Sequence, residues 1–150
     1  MALLRPTCNF LQRCTLALMT DCRVTGKENV PPVGPLIVIA NHQSNMDPPL
    51  LGVTLPRHTW FLAKGGLFLN PVSNWFLLTW GAFPLDRSNP DPKAFRWVLG
   101  KLHSDQVVVL FPEGTRSPAA MRKASSGVAQ IALRSGAPIL PVGITGTESM

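Results

Sequence analysis

Short apolar runs alternate along the chain with segments whose apolar residues recur every three or four positions, and most runs end in a polar or glycine-containing turn. Residues 36–40 (Leu-Ile-Val-Ile-Ala) carry no charge and are rich in β-branched side chains, the pattern of a buried strand. Asp47-Pro48 then reads as a helix N-cap with Pro at the first helical position, opening a short helix over residues 50–55. Residues 59–63 predict a second strand, ending at Lys64-Gly65-Gly66, and residues 81–87 a third that finishes on the charged pair Asp86-Arg87. Residues 90–104 place Phe95, Val98, Leu99 and Leu102 at helical spacing with Lys93, Arg96 and Lys101 elsewhere, which predicts an amphipathic crossover helix. Residues 106–111 form the most strand-like run. A helix over 126–134 stops at Gly136 before a last strand over 139–144. Strands alternating with helices predict an α/β domain with a mostly parallel central sheet flanked by helices.

Two stretches fit this scheme less simply. Residues 3–19 are apolar but broken by Arg5, Pro6, Asn9, Gln12 and Arg13, too interrupted for a span and without a clear cleavage site. They predict an N-terminal amphipathic segment, residues 1–22, that lies on a membrane surface or packs on the main domain, residues 23–150. Residues 67–83 hold Phe68, Trp75, Phe76, Trp80 and Phe83, with Asn70, Pro71, Ser73 and Asn74 among them. Large aromatic side chains are mostly buried, so a core helix around residues 75–79 is the expectation; an interfacial or acyl-binding wall is the alternative.

Composition narrows the class of partner. The chain has 150 residues, 45% of them hydrophobic, which suits one domain with a real core. Its 15 prolines and 12 glycines fall between apolar runs as punctuation. Fourteen basic against eight acidic residues give a formal charge of +6, which favours an anionic partner: nucleic acid, anionic lipid or a phosphorylated small molecule. Nucleic acid is disfavoured because the aromatics are not interleaved with basic residues as stacking platforms. Cys8, Cys14 and Cys22 form no C-x-x-C pair, and His58 and His103 stand far from them, so neither a disulfide framework nor a metal site is predicted.

The chemistry is concentrated at strand ends. His42 follows the first strand, and Asp47 lies close enough for a short turn to bring both to one side of a cleft at the carboxyl edge of the sheet. They can act as a general base and its orienting partner. From spacing alone, Asp47 is equally an N-cap and His42 a loop residue satisfying nearby carbonyls. Arg87, at the end of the third strand, and the turn Glu113-Gly114-Thr115-Arg116, after the fourth, supply groups suited to a phosphate monoester. Arginine matches phosphate oxygens two at a time, and glycine lets a backbone approach closely. Asn41, Ser44 and Lys64 stand beside these as secondary candidates. Lys64-Gly65-Gly66 lacks the spacing of a P-loop, so it predicts no nucleotide site.

Taken together, four blocks resemble the glycerolipid acyltransferases: residues 41–47 fit N-H-x-S-x-x-D, and residues 81–87, 111–117 and 139–142 follow in matching order and separation. The likeness covers about residues 23–150 and runs in particular to the bacterial 1-acylglycerol-3-phosphate acyltransferases. It implies acyl transfer from acyl-CoA or acyl-carrier protein to the free hydroxyl of lysophosphatidic acid, giving phosphatidic acid without a metal or other cofactor, by a peripheral protein at the cytoplasmic face of a membrane. His42 would be the base, Asp47 its partner, and Arg87, Glu113, Gly114, Thr115 and Arg116 the acceptor-phosphate site, with Pro141 and Val142 toward the acyl or membrane side. Glycerol 3-phosphate or another lysophospholipid is the alternative acceptor, and a non-catalytic basic membrane-surface domain the alternative class. Family members commonly continue past the fourth block, so the resemblance also predicts truncation at the C-terminus, with an open sheet edge.

Overall fold

The computed structural model describes residues 4–19, 21–86, 90–117 and 122–149. Five strands, β1 (Leu36–Ala40), β2 (Thr59–Lys64), β3 (Ala82–Leu85), β4 (Val107–Leu110) and β5 (Ile139–Val142), pair in the order β3-β2-β4-β1-β5. Every pairing is parallel. The helices are α1 (Leu4–Met19), α2 (Asp47–Thr54), α3 (Pro71–Trp80), α4 (Pro92–His103) and α5 (Gly127–Ser135). The predicted α/β class therefore holds, and each predicted strand from β1 to β5 is present within a few residues of its expected bounds.

The two-residue period of the strands builds two cores. Leu36, Val38, Ala40, Val107 and Val109 face one side, with Leu51 of α2 and Trp80 of α3. Ile37, Val108 and Leu110 face the other, with Val98 and Leu102 of α4 and Ile131 of α5. β1 and β4 are buried on both faces, which is why they read as continuous apolar runs. The two edge strands carry proline, Pro84 in β3 and Pro141 in β5, where a missing N–H costs no ladder bond.

Connections fix where a ligand can sit. The chain moves from β1 to β2 to β3 through α2 and α3 on one face, then from β3 to β4 to β5 through α4 and α5 on the other. Neighbouring strands β1 and β4 thus send their chains to opposite faces, and the crevice at their carboxyl ends is the topological switch point of the sheet.

Local chemistry sets the helix ends. Asn70 caps α3, its Oδ1 accepting from the Val72 and Ser73 amides at 2.9 and 3.2 Å, with Pro71 as the first helical residue. Asp91 caps α4 through the Lys93 and Ala94 amides and also accepts from the Asp86 amide. Gly52 is required on α2: a Cβ there would lie 2.6 Å from Cζ2 of the buried Trp80 ring. On the opposite edge of the sheet from the crevice, Arg57 donates to the carbonyls of Pro31, Gly34 and Asp105 and ties three loops together.

Two expectations are corrected. The aromatic segment does not form core: only Trp80 of α3 is buried, stacked on Phe61, while Leu69, Val72 and Trp75 are 85%, 74% and 48% exposed. The reason is geometric, since α3 covers the edge of the sheet beside β3 and meets apolar surface along a single stripe. Nor does Asp47 cap α2: it is the first helical residue, and its carboxylate turns back into the preceding loop. The N-terminal helix α1 lies beside α2, with Arg13 Nε donating to the Val53 carbonyl at 3.0 Å and Phe10 and Leu11 exposed. Among the described residues no helix is long and apolar enough to cross a membrane.

Candidate active site

The loop leaving β1 is wrapped around one carboxylate. Asp47 Oδ2 accepts from the His42 ring Nδ1 at 2.7 Å, the Gln43 amide at 2.7 Å and the Ser44 amide at 2.8 Å. Its Oδ1 accepts from the Thr147 hydroxyl at 2.6 Å. Asp47 is 0% exposed and His42 8%. Burial pushes the Asp47 carboxyl up, but the Thr147 hydroxyl, the Ser44 amide, the His42 ring and the Gln43 amide together hold it below its ordinary range. An ionised carboxylate only accepts, so the imidazole must carry its proton on Nδ1, and Nε2 is left as the basic nitrogen.

The β4 side of the crevice holds the ring in place. Phe111 stacks on His42 with centroids 4.3 Å apart and planes 26° from parallel. Glu113 Oε1 accepts from the His42 amide at 3.1 Å and Oε2 from the Arg122 amide at 2.9 Å, while the Ser117 amide donates to the His42 carbonyl at 2.7 Å. Glu113, expected among the phosphate ligands, is therefore spent on backbone, and a carboxylate has no hydrogen to offer a phosphate. Gly114 turns the chain with φ of 67°, a conformation that disfavours other residues, and Arg116 is exposed beyond it.

The secondary candidates separate. Asn41 is a clamp: its side chain donates to the Ile144 carbonyl at 2.8 Å and accepts from the Ile144 amide at 2.7 Å. Ser44 lends its amide to Asp47, and its hydroxyl accepts weakly from the Met46 amide at 3.3 Å. Lys64, exposed at the end of β2, opens onto a cleft of about 460 Å³ lined also by Gly65, Leu85, Asp86 and Lys93; His42 and Asp47 do not line it. Arg87 lies outside the described residues. β3, which ends at Leu85, is separated from β4 by β2. Among the described residues no group of three His, Cys, Asp or Glu side chains could hold a metal ion.

The chain matches the Acyltransferase family over residues 21–145. It belongs to that family. A 1-acyl-sn-glycerol-3-phosphate acyltransferase of Bacillus subtilis is 33% identical over 89% of this chain and 67% of its own length. One of Streptococcus pneumoniae is 35% identical over 76% of this chain but 43% of its own. The crystal structure of the 1-acyl-sn-glycerophosphate (LPA) acyltransferase PlsC from Thermotoga maritima superposes with a TM-score of 0.81 at 33% identity, over 97% of this chain and 59% of that one. The chain thus spans 43% to 67% of the length of these relatives.

Within this acyltransferase domain, sequence reasoning located His42 and Asp47 but missed Thr147 and the structural use of Asn41, Phe111 and Glu113. The 100-residue separation of Thr147 from Asp47 leaves no local signal. Phe111 and Glu113 could have been paired with His42 only by knowing that β1 and β4 are neighbours.

Proposed function

We propose that this domain transfers a fatty acyl group from a thioester, acyl-CoA or acyl-carrier protein, to the free hydroxyl of 1-acylglycerol-3-phosphate, giving phosphatidic acid. The observation that carries the reading is the 2.7 Å hydrogen bond from His42 Nδ1 to the buried Asp47, which leaves Nε2 basic at the switch-point crevice. The activity for which the bacterial relatives are named supports the choice of acceptor.

In the reaction, His42 Nε2 takes the hydroxyl proton as the alcohol oxygen attacks the thioester carbonyl. Asp47 stabilises the imidazolium that forms. The tetrahedral intermediate then collapses, the C–S bond breaks, and the imidazolium returns its proton to the leaving sulfur, so no protein nucleophile is consumed. Arg116, Thr115 and the tight turn at Gly114 offer the acceptor phosphate a cation, a hydroxyl and close backbone approach. Lys64, exposed at the end of β2, lies on the same edge of the sheet and extends that basic border. Glu113 serves by holding the His42 backbone.

A lipid acceptor places the domain at a membrane surface. The exposed Leu67, Leu69, Val72 and Trp75 at and after the end of β2 suit the headgroup boundary, and the +6 charge suits anionic lipid. Cytosolic acyl donors put that surface at the cytoplasmic face. A second acceptor class is favoured by one relative, the lyso-ornithine lipid O-acyltransferase of Pseudomonas aeruginosa, 30% identical over 91% of this chain. The test is labelled acyl-CoA offered with lysophosphatidic acid, glycerol 3-phosphate or lyso-ornithine lipid. Product from lysophosphatidic acid at ten times the rate of the others is expected; equal or greater product from an acceptor without phosphate would reject the phosphate assignment.

A further inference from the structure

We propose that Thr147 is a positioning residue for the His42–Asp47 pair, and that residues 144–147 form a strap that fixes the angle of the carboxylate. Three donors converge on Asp47 Oδ2, all from the loop that carries Asp47 itself. These bonds let the carboxylate swing as one body with its loop. The donor on Oδ1 comes from elsewhere: Thr147, 3% exposed, reaches it at 2.6 Å from beyond β5. The strap is itself anchored to the loop. Asn41 binds both the amide and the carbonyl of Ile144. The Gln43 side-chain amide, in the orientation that satisfies both its ends, donates to the Ile144 carbonyl at 3.0 Å and to Glu148 Oε2 at 3.1 Å.

The strap follows the fourth sequence block, which the resemblance placed on the acyl or membrane side. Here its continuation reaches the reacting pair instead. A buried carboxylate oxygen deprived of its donor bears the full cost of desolvation, so removing the Thr147 hydroxyl raises the proton affinity of Asp47 and loosens its hold on the ring. Among the described residues, the charged and titratable groups facing the pair are His42 itself on the β1 loop, Glu113 on the β4 turn through the His42 amide, and Glu148, next to the strap, through Gln43.

The inference rests on the acyl-transfer reading of the same pair, and the test separates the two. Thr147→Val and Thr147→Ser are compared with wild type by steady-state acyl transfer from acyl-CoA to lysophosphatidic acid. They are also compared by the low-field Nδ1–H proton resonance of His42 in protein with ¹⁵N-labelled histidine, assigned by its loss in His42→Gln. Thr147→Val is expected to lower kcat about 10- to 100-fold with KM within two-fold, and to shift or broaden the resonance. Thr147→Ser, which keeps the hydroxyl, is expected within a few-fold of wild type with the resonance in place. Thr147→Ala replaces Val if that variant does not fold. An unmoved resonance in folded Thr147→Val, or a serine variant as impaired as the valine one, overturns the strap. Wild type that fails to transfer acyl groups overturns the function instead, while the resonance still reports on Thr147.

Discussion

The crevice between β1 and β4 and the surface around α3 are opposite solutions to placing side chains at the edge of one sheet. In the crevice, polar groups are buried and matched: four donors converge on Asp47, and two backbone amides occupy Glu113. Around α3, apolar groups are exposed, with Leu69 and Val72 standing in solvent and one aromatic, Trp80, anchoring the helix inward. Buried polar groups tolerate almost no displacement because each unmade bond leaves a desolvated atom. Exposed apolar groups contribute little to the fold and keep their freedom for something outside it. Difference in tolerance should therefore follow the difference in burial.

The largest expected effect is on the matched side. Asp47→Asn keeps the shape but replaces an acceptor with a group that also donates, which favours the wrong imidazole tautomer; acyl transfer should fall by about ten-thousand-fold, as in an analogous triad. The same carboxylate gives the acid response its sign. Its folded value lies below the ordinary 3.8, so its stabilisation is fully present above that pH and is lost as pH falls through the folded value. Thermal melts across the acid range should show this loss in wild type and a flatter profile in Asp47→Asn.

The inner side of α3 comes next. Gly52→Ala drives a methyl against Trp80 and should destabilise the fold by about 1–3 kcal/mol, read by urea denaturation. Asp91→Ala removes the α4 cap and should cost about 1 kcal/mol in the same assay. Smallest for the fold, Leu69→Ser and Val72→Ser on the outer side should change stability by less than about 0.5 kcal/mol. If that surface meets lipid, sedimentation with anionic vesicles should weaken all the same. A double serine variant that unfolds, or that binds vesicles as wild type does, would collapse the contrast between the two regions.

The sequence was informative where a feature is local. β1 and β4 declared themselves as uncharged apolar runs, α4 as a helical stripe of Val98 and Leu102, and the end of α5 as Gly136, which has φ of 66°. Pro84 and Pro141 were consistent with edge strands. His42 and Asp47 were legible because a single turn brings them together. What escaped notice depends on strand order and on the sides of helices. Glu113 and Phe111 meet His42 because β4 inserts between β2 and β1, and Thr147 meets Asp47 because the chain returns past β5. The exposed face of α3 was misread because aromatic composition reports burial only on average, and a helix at the sheet edge has one side to bury.

The proposed mechanism turns on His42 removing the proton from the acceptor hydroxyl. The direct measurement is labelled acyl-CoA with lysophosphatidic acid for wild type and His42→Ala, with both proteins shown to be folded by near-ultraviolet circular dichroism. Product is expected from wild type, with a loss of about a hundred- to ten-thousand-fold in the folded variant. Equal product from the two would contradict it.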